Sequence, residues 1–289
     1  MSLKTIATFS LGETKIGTAA KSFVSLNVAR GSVLDFSLSS VLKAEESSSP
    51  KSSTRRVGAI VNAANERCLG GGGVDGAIGN AGGPSLLKDR EALPLLSKKF
   101  EIRCHTGSAV VTGPGRYGTL GVKYVVHAVG PAYFCFTKDN DVDDSDENDS
   151  CEDTNESNEF DEPDNLLYSA YRESLERCRE SGITDVAFSL LSAGIFRGKR
   201  SLDDVLALGV IAIRDWIAEQ EAANYILSGK DSSEDTSYRL RSVTLCAFSK
   251  NEVNALTKVC RIIFRENNDC KRDERKMGKD TNKKDPPSE

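Results

Sequence analysis

The 289-residue chain predicts an α/β domain, with one sheet covered by helices on both faces. Strand-like and helix-like patterns alternate along it. Several strand-like segments are apolar at nearly every position, among them VGAIVNA (57–63), VKYVVHAVG (122–130) and TDVAFSLL (184–191). A sheet open to water on one side would alternate apolar and polar residues, whereas burial on both faces gives continuous apolar runs. There is no convincing internal repeat.

The elements follow in order. SFVSLNV (22–28) is rich in apolar and β-branched residues and reads as the first strand. Residues 44–56 are polar and Ser-rich, hence a loop. The 57–63 strand runs into a glycine cluster and a short helical stretch, VDGAIGNA. Pro84 suits the first position of the next helix, where its missing N–H costs nothing. GSAVVTG (107–113) and 122–130 are two further strands, joined by a turn-rich PGRYGTL. Residues 166–178 are helical, with Leu167, Tyr171, Leu175 and Cys178 on one face. The 184–191 strand precedes a helix over 203–218, whose Val205, Leu208, Ile211, Ala212 and Trp216 share a side. A polar loop (228–238), a strand (242–249) and a helix (251–264) complete six predicted strands.

Charge is unevenly spread. Residues 139–164 hold 14 acidic and no basic residues, and set the overall charge of −5. Outside that segment stand 38 basic and 29 acidic residues, so the remainder is mildly basic and suits an anionic ligand. The acidic stretch has too few apolar residues to fold and reads as a disordered insertion in a surface loop. The organisation expected is a folded unit over 1–266, interrupted at about 137–164, followed by a disordered charged tail over 267–289. None of the eight cysteines lies in a CxxC pair, so neither a metal site nor a cofactor is expected, and buried free thiols fit a reducing compartment. No segment has the ~20 apolar residues of a membrane span. The start of the chain lacks a secretory pattern. A cytoplasmic or nuclear, monomeric protein is the expectation.

The most informative stretch is VNAANERCLGGGGVDGAI (61–78). A buried strand ends in Asn62-Ala63-Ala64-Asn65, four consecutive glycines follow, and then a helix begins. Ordering four glycines costs backbone entropy. Such a loop makes sense where a ligand approaches the main chain and helix-start N–H groups face an anion. Asn62 and Asn65 have the donors and acceptors that sugar hydroxyls need. Asp75 at the helix mouth can hold a hydroxyl or orient a water, or can cap the helix. The stretch is neither a dinucleotide fingerprint nor a P-loop. The second stretch, SLLSAGIFRGKRSLDDV (189–205), also follows a buried strand. Its Ser192, Ala193 and Gly194 can form an anion-binding turn. Phe196 can pack on a sugar face. Of the two histidines, His127 lies within a buried strand and reads as structural.

These segments resemble the macrodomain family. Residues 61–78 resemble its glycine-rich motif, Ser192–Phe196 its diphosphate-binding loop, and residues 107–131 its central strand pair. The resemblance covers roughly residues 22–264. It implies a three-layer α/β/α sandwich around a mixed sheet of about six strands, with an ADP-ribose cleft at the strand ends. It implies that Asn65, Gly72, Gly73 and Val74 surround the distal ribose, and that Ala63 also belongs to the ligand-binding residues. Ser192, Ala193, Gly194, Ile195 and Phe196 would hold the diphosphate, with Phe196 also flanking that ribose. Asn65 and Asp75 would be the catalytic pair. Ser32 and Val33 stand where the family has the Asp-Ile that recognises adenine. Gly79 stands where MacroD-type members tend to carry a histidine. The resemblance implies a hydrolase of ADP-ribosyl derivatives, acting on mono-ADP-ribosylated protein, ADP-ribose 1″-phosphate or O-acetyl-ADP-ribose. A non-catalytic ADP-ribose reader is the alternative. Nucleic acid is not an expected partner, because no basic run is interleaved with aromatic residues.

Overall fold

A computed structural model describes residues 2–11, 24–38, 56–136, 161–228 and 238–264. Strands β1 (Lys4–Leu11), β2 (Val24–Arg30), β3 (Gly58–Ala63), β4 (Ala109–Thr112), β5 (Tyr124–Ala128), β6 (Asp185–Ser189) and β7 (Ser242–Ala247) form one sheet. Its order is β1-β2-β7-β6-β3-β5-β4. The five central strands are parallel, and the two edge strands pair antiparallel. The helices are α1 (Gly73–Glu91), α2 (Asp161–Glu180), α3 (Leu202–Ser228) and α4, which covers residues 250–264.

Continuous apolar strands place alternate residues on opposite faces, and the two faces have separate cores. Ala59, Val61, Val186, Phe188, Val243 and Leu245 point to one side. There they pack with Leu175 of α2, Val210 of α3 and Leu256 of α4. Ile60, Val125, Ala187 and Cys246 point to the other, against Ile78 and Leu86 of α1. This is the three-layer α/β/α sandwich, with seven strands where the sequence suggested six.

The extra strand is β1. Only its last residue is buried, so it lacks the run of apolar side chains that marks the central strands. It is an edge strand, tied down by Phe9 against Phe264 of α4 (ring centroids 5.3 Å apart). The acidic reading of 139–164 also needs trimming at its end. Asp161, Glu162 and Asp164 form the first turn of α2, where carboxylates favour the positive end of the helix dipole. The rest of that stretch and the tail lie outside the described residues.

Parallel strands put five C-terminal ends on one edge of the sheet. Their far ends are fastened by Asp185, which accepts hydrogen bonds from Arg56 Nε (3.0 Å), Thr184 Oγ1 (2.7 Å) and Ser242 Oγ (2.6 Å). Loops at the near edge are thereby carried on rigid supports. No helix among the described residues is long and apolar enough to cross a membrane.

Candidate functional site

The loop after β3 is braced before any ligand is considered. Asn65 Nδ2 donates to the Gly70 carbonyl (3.0 Å), and Asn65 Oδ1 accepts from the Arg67 N–H (3.1 Å). Glu66 accepts from the N–H and hydroxyl of Thr106 at 3.0 and 3.1 Å. The loop then turns into α1 through Gly72 and Gly73, and Gly73 has φ +59°, where an L side chain is strained. A Cβ at Gly72 or Gly73 would meet nothing within 4 Å, so the backbone there is open to an approaching molecule.

Asp75 does not cap the helix. Its carboxylate is 3 % exposed and turns inward. Oδ1 accepts from Asn62 Nδ2 at 2.8 Å. The same amide donates to His127 Nδ1 (3.2 Å), which makes Nε2 the protonated ring nitrogen, and that nitrogen faces Thr112 Oγ1 at 3.1 Å. The carboxylate fixes which way the Asn62 amide points, because its oxygen would repel Oδ1. His127 is structural, as the sequence suggested: burial, aided by the nearby charge of Arg90, holds its pKa well below the ordinary value. Asp75 Oδ2 has no hydrogen-bond partner among the described residues. It faces Gly71, where an added Cβ would lie 3.2 Å from Oδ2 and 3.1 Å from Asn65 Nδ2. The two predicted catalytic side chains therefore converge on one bare patch of backbone.

The loop after β6 lies beside it, because β6 and β3 are adjacent and parallel. Ser192 has φ +53° and donates through Oγ to the Pro131 carbonyl (2.7 Å), tying this loop to the one after β5. Ala193 is buried. Gly194 starts the short 3-10 turn Ile195–Arg197, and Ile195 is 86 % exposed. Phe196 meets Phe134 edge to face, with centroids 6.2 Å apart. Asn65 and Phe196 line one cleft of about 450 Å³, with Arg67, Phe100, Ile102 and Gly130. Ala63, at the end of β3, donates its N–H to Ser189 Oγ (3.0 Å), and Val74 packs half-buried behind the helix start.

Two strands away, Ser32 Oγ accepts from the Leu34 N–H (3.2 Å) and closes the turn after β2. The Val33 side chain is buried in the core. Neither side chain is brought to the cleft beside Asn65. Between them and the β6 loop, at the end of β7, stands Phe248, 79 % exposed. Sequence reasoning missed it, although a phenylalanine directly after a buried strand was a usable signal. Ser249 and Glu252 form a capping box, and the Glu252 carboxylate accepts the Phe248 N–H (2.9 Å). Among the described residues no group of three or more His, Cys, Asp or Glu is placed to hold a metal ion.

Comparison with known proteins places these features. Residues 61–145 and 153–203 match the Macro domain family model. A macro domain-containing protein of Streptomyces nogalater is 35% identical over 169 residues, covering 58% of this chain and 76% of that protein. The chain belongs to the Macro domain family. Among its macrodomain relatives is a Caldanaerobacter subterraneus subsp. tengcongensis protein, 41% identical over 142 residues. The match there covers 49% of this chain and 64% of the relative, a little under two thirds of its length. A Pantoea vagans protein named O-acetyl-ADP-ribose deacetylase 1 is 35% identical over 153 residues, covering 53% of this chain and 72% of that one. The fold agrees with that of a macrodomain of Oceanobacillus iheyensis solved with ADP. The TM-score is 0.56 at 19% identity, over 92% of this chain and all of that one.

Proposed function

We propose that this macrodomain binds ADP-ribose along its strand-end edge and hydrolyses ADP-ribosyl derivatives. The convergence of Asn65 Nδ2 and Asp75 Oδ2 on Gly71 carries the reading. It sets a donor and a buried carboxylate oxygen, without a partner among the described residues, directly behind the main chain of Gly71, next to the open backbone of Gly72 and Gly73. The Pantoea vagans relative's name supports it.

Three inter-strand steps of ~4.8 Å separate β2 from β3, a span of about 14 Å that suits an extended dinucleotide-like ligand. In this arrangement adenine lies by the Ser32–Val33 turn, on the face of Phe248. The diphosphate crosses the N–H groups of Ser192–Phe196. The distal ribose rests between Asn65, the Gly72–Val74 backbone and Phe196.

The leaving group, a protein carboxylate, phosphate or acetate, then points toward Phe100 and Ile102. Asp75 Oδ2 accepts a hydrogen bond from a water or ribose hydroxyl and orients it. For a carboxylate linked to C1″, water adds its hydroxyl to that carbon. The carboxylate departs with the bonding pair, and the second proton goes to solvent. Orientation supplies most of the acceleration.

A non-catalytic reader is a second reading. Gly79 favours it, because the helix position one turn past Asp75 presents no side chain. Assaying mono-ADP-ribosylated protein, ADP-ribose 1″-phosphate and O-acetyl-ADP-ribose beside calorimetry with ADP-ribose separates the two. Turnover of any of the three supports the hydrolase, and binding with no turnover supports the reader.

A further inference from the structure

Gly79 lies four residues after Asp75, so the two share a face of α1. The space that Gly79 leaves is filled from elsewhere. A Cβ added at Gly79 would lie 3.6 Å from Nη1 of Arg90, and one added at Gly70 would lie at the same distance from the same atom. The Arg90 guanidinium therefore sits between the glycine loop and the first turns of α1. Its Nη2 is 3.1 Å from Asp75 Oδ1, and both side chains are almost wholly buried. That contact lacks the alignment of a hydrogen bond. Nε and Nη2 keep donors with no partner among the described residues.

The approach is unexpected along a straight helix, where fifteen residues span about 22 Å. Gly83 breaks α1, with φ +63° and ψ −160°, and Pro84 starts a second segment that returns Arg90 to the first turn. Gly82 makes room for the turn, since a Cβ there would overlap Leu86.

We infer that Arg90 is the positioning residue for Asp75, holding its carboxylate from below in the space that Gly79 leaves. The inference rests on the hydrolase reading for its effect on rate, and on packing alone for its existence. Oδ1 is fixed between Asn62 and Arg90, which leaves Oδ2, itself buried, against the main chain at Gly71. A charge this deeply buried is costly to leave unpaired, so Asp75 and Arg90 require each other.

The test uses Arg90→Ala, Arg90→Lys and Gly79→Gln, each assayed below its own thermal midpoint, with Asp75→Asn and the Arg90→Ala/Asp75→Asn double variant for the thermal comparison. Arg90→Ala is expected to lower kcat by about tenfold or more while KM stays within about threefold, the signature of a misplaced group rather than a lost binding contact. Arg90→Lys, which keeps the charge, recovers part of kcat. Gly79→Gln lowers kcat by pushing the guanidinium aside. The thermal midpoint of the double variant should lie above the sum of its single losses, because both buried charges are gone. Unchanged kcat in Arg90→Ala, or strictly additive thermal losses, overturns the inference. A wild-type protein that turns over none of the three substrates overturns the hydrolase reading instead, and the thermal comparison still decides whether Arg90 and Asp75 act as a pair.

Discussion

Asn62 Nδ2 lies 2.8 Å from Oδ1 of Asp75, so a side chain from the buried strand β3 fixes a carboxylate on the first turn of α1. The carboxylate is thereby oriented by the core of the sheet and not by the loop in front of it. Thr112, His127, Asn62 and Asp75 form a continuous buried polar line from β4 to the first turn of α1. Asn62 Oδ1 and Asp75 Oδ2 have no partner among the described residues, so the line is only partly satisfied and each bond it does make matters to its stability.

Asn62→Leu keeps the branching and the number of side-chain heavy atoms but removes both donors. It leaves His127 Nδ1 unpaired and Asp75 held only by Arg90. Stability should fall by about 1–3 kcal/mol, read from urea unfolding, and turnover should fall further than the folded fraction explains. An unchanged urea midpoint would show that the line contributes nothing.

His127 gives the stability a pH dependence of known sign. Its folded-state pKa lies below the ordinary value of about 6.5, so the unfolded chain takes up a proton that the folded one refuses. The contribution is complete above about pH 6.5. It is lost as pH falls below that value, by at most about 1.4 kcal/mol per pH unit. The ring resonances of His127 should therefore show no titration at the ordinary histidine value. A titration centred near 6.5 would contradict this.

Gly71→Ala places a methyl group between Asn65 and Asp75, with neighbours at 3.1 and 3.2 Å. Those contacts are tight enough to displace both side chains slightly. Turnover should drop by about tenfold or more with the thermal midpoint little changed, since position 71 is exposed. Wild-type turnover in this variant would remove the convergence point from the chemistry.

Phe248→Ala tests the adenine end. Affinity for ADP-ribose should weaken by roughly tenfold, a stacking contribution of about 1–1.5 kcal/mol, while affinity for ribose 5-phosphate stays the same. Equal losses for both ligands would place Phe248 elsewhere in recognition.

Much of this was legible in the sequence. Strands buried on both faces announce themselves, and the glycine run between Asn65 and Asp75 marked the strand-to-helix loop that brings those two side chains together. Other features were not. β1 is an edge strand that mixes polar residues with an exposed Ile6, so it shows neither a continuous apolar run nor a clean alternation. α3 runs on to Ser228, past the predicted end at 218, because no glycine or proline marks a stop there. Arg90 was invisible, since its sequence distance from Asp75 suggests separation and only the break at Gly83 brings them together. Asp75 read as either a cap or a functional carboxylate, and its inward contact with Asn62 removes the cap.

Calorimetric titration of ADP-ribose into the wild-type protein and the Asn65→Ala variant is the most direct test. The wild type should bind one equivalent saturably, and the variant at least about tenfold more weakly, a loss of about 1.4 kcal/mol. No binding by the wild type at millimolar ADP-ribose, or equal binding by the two proteins, would contradict the assignment of this cleft.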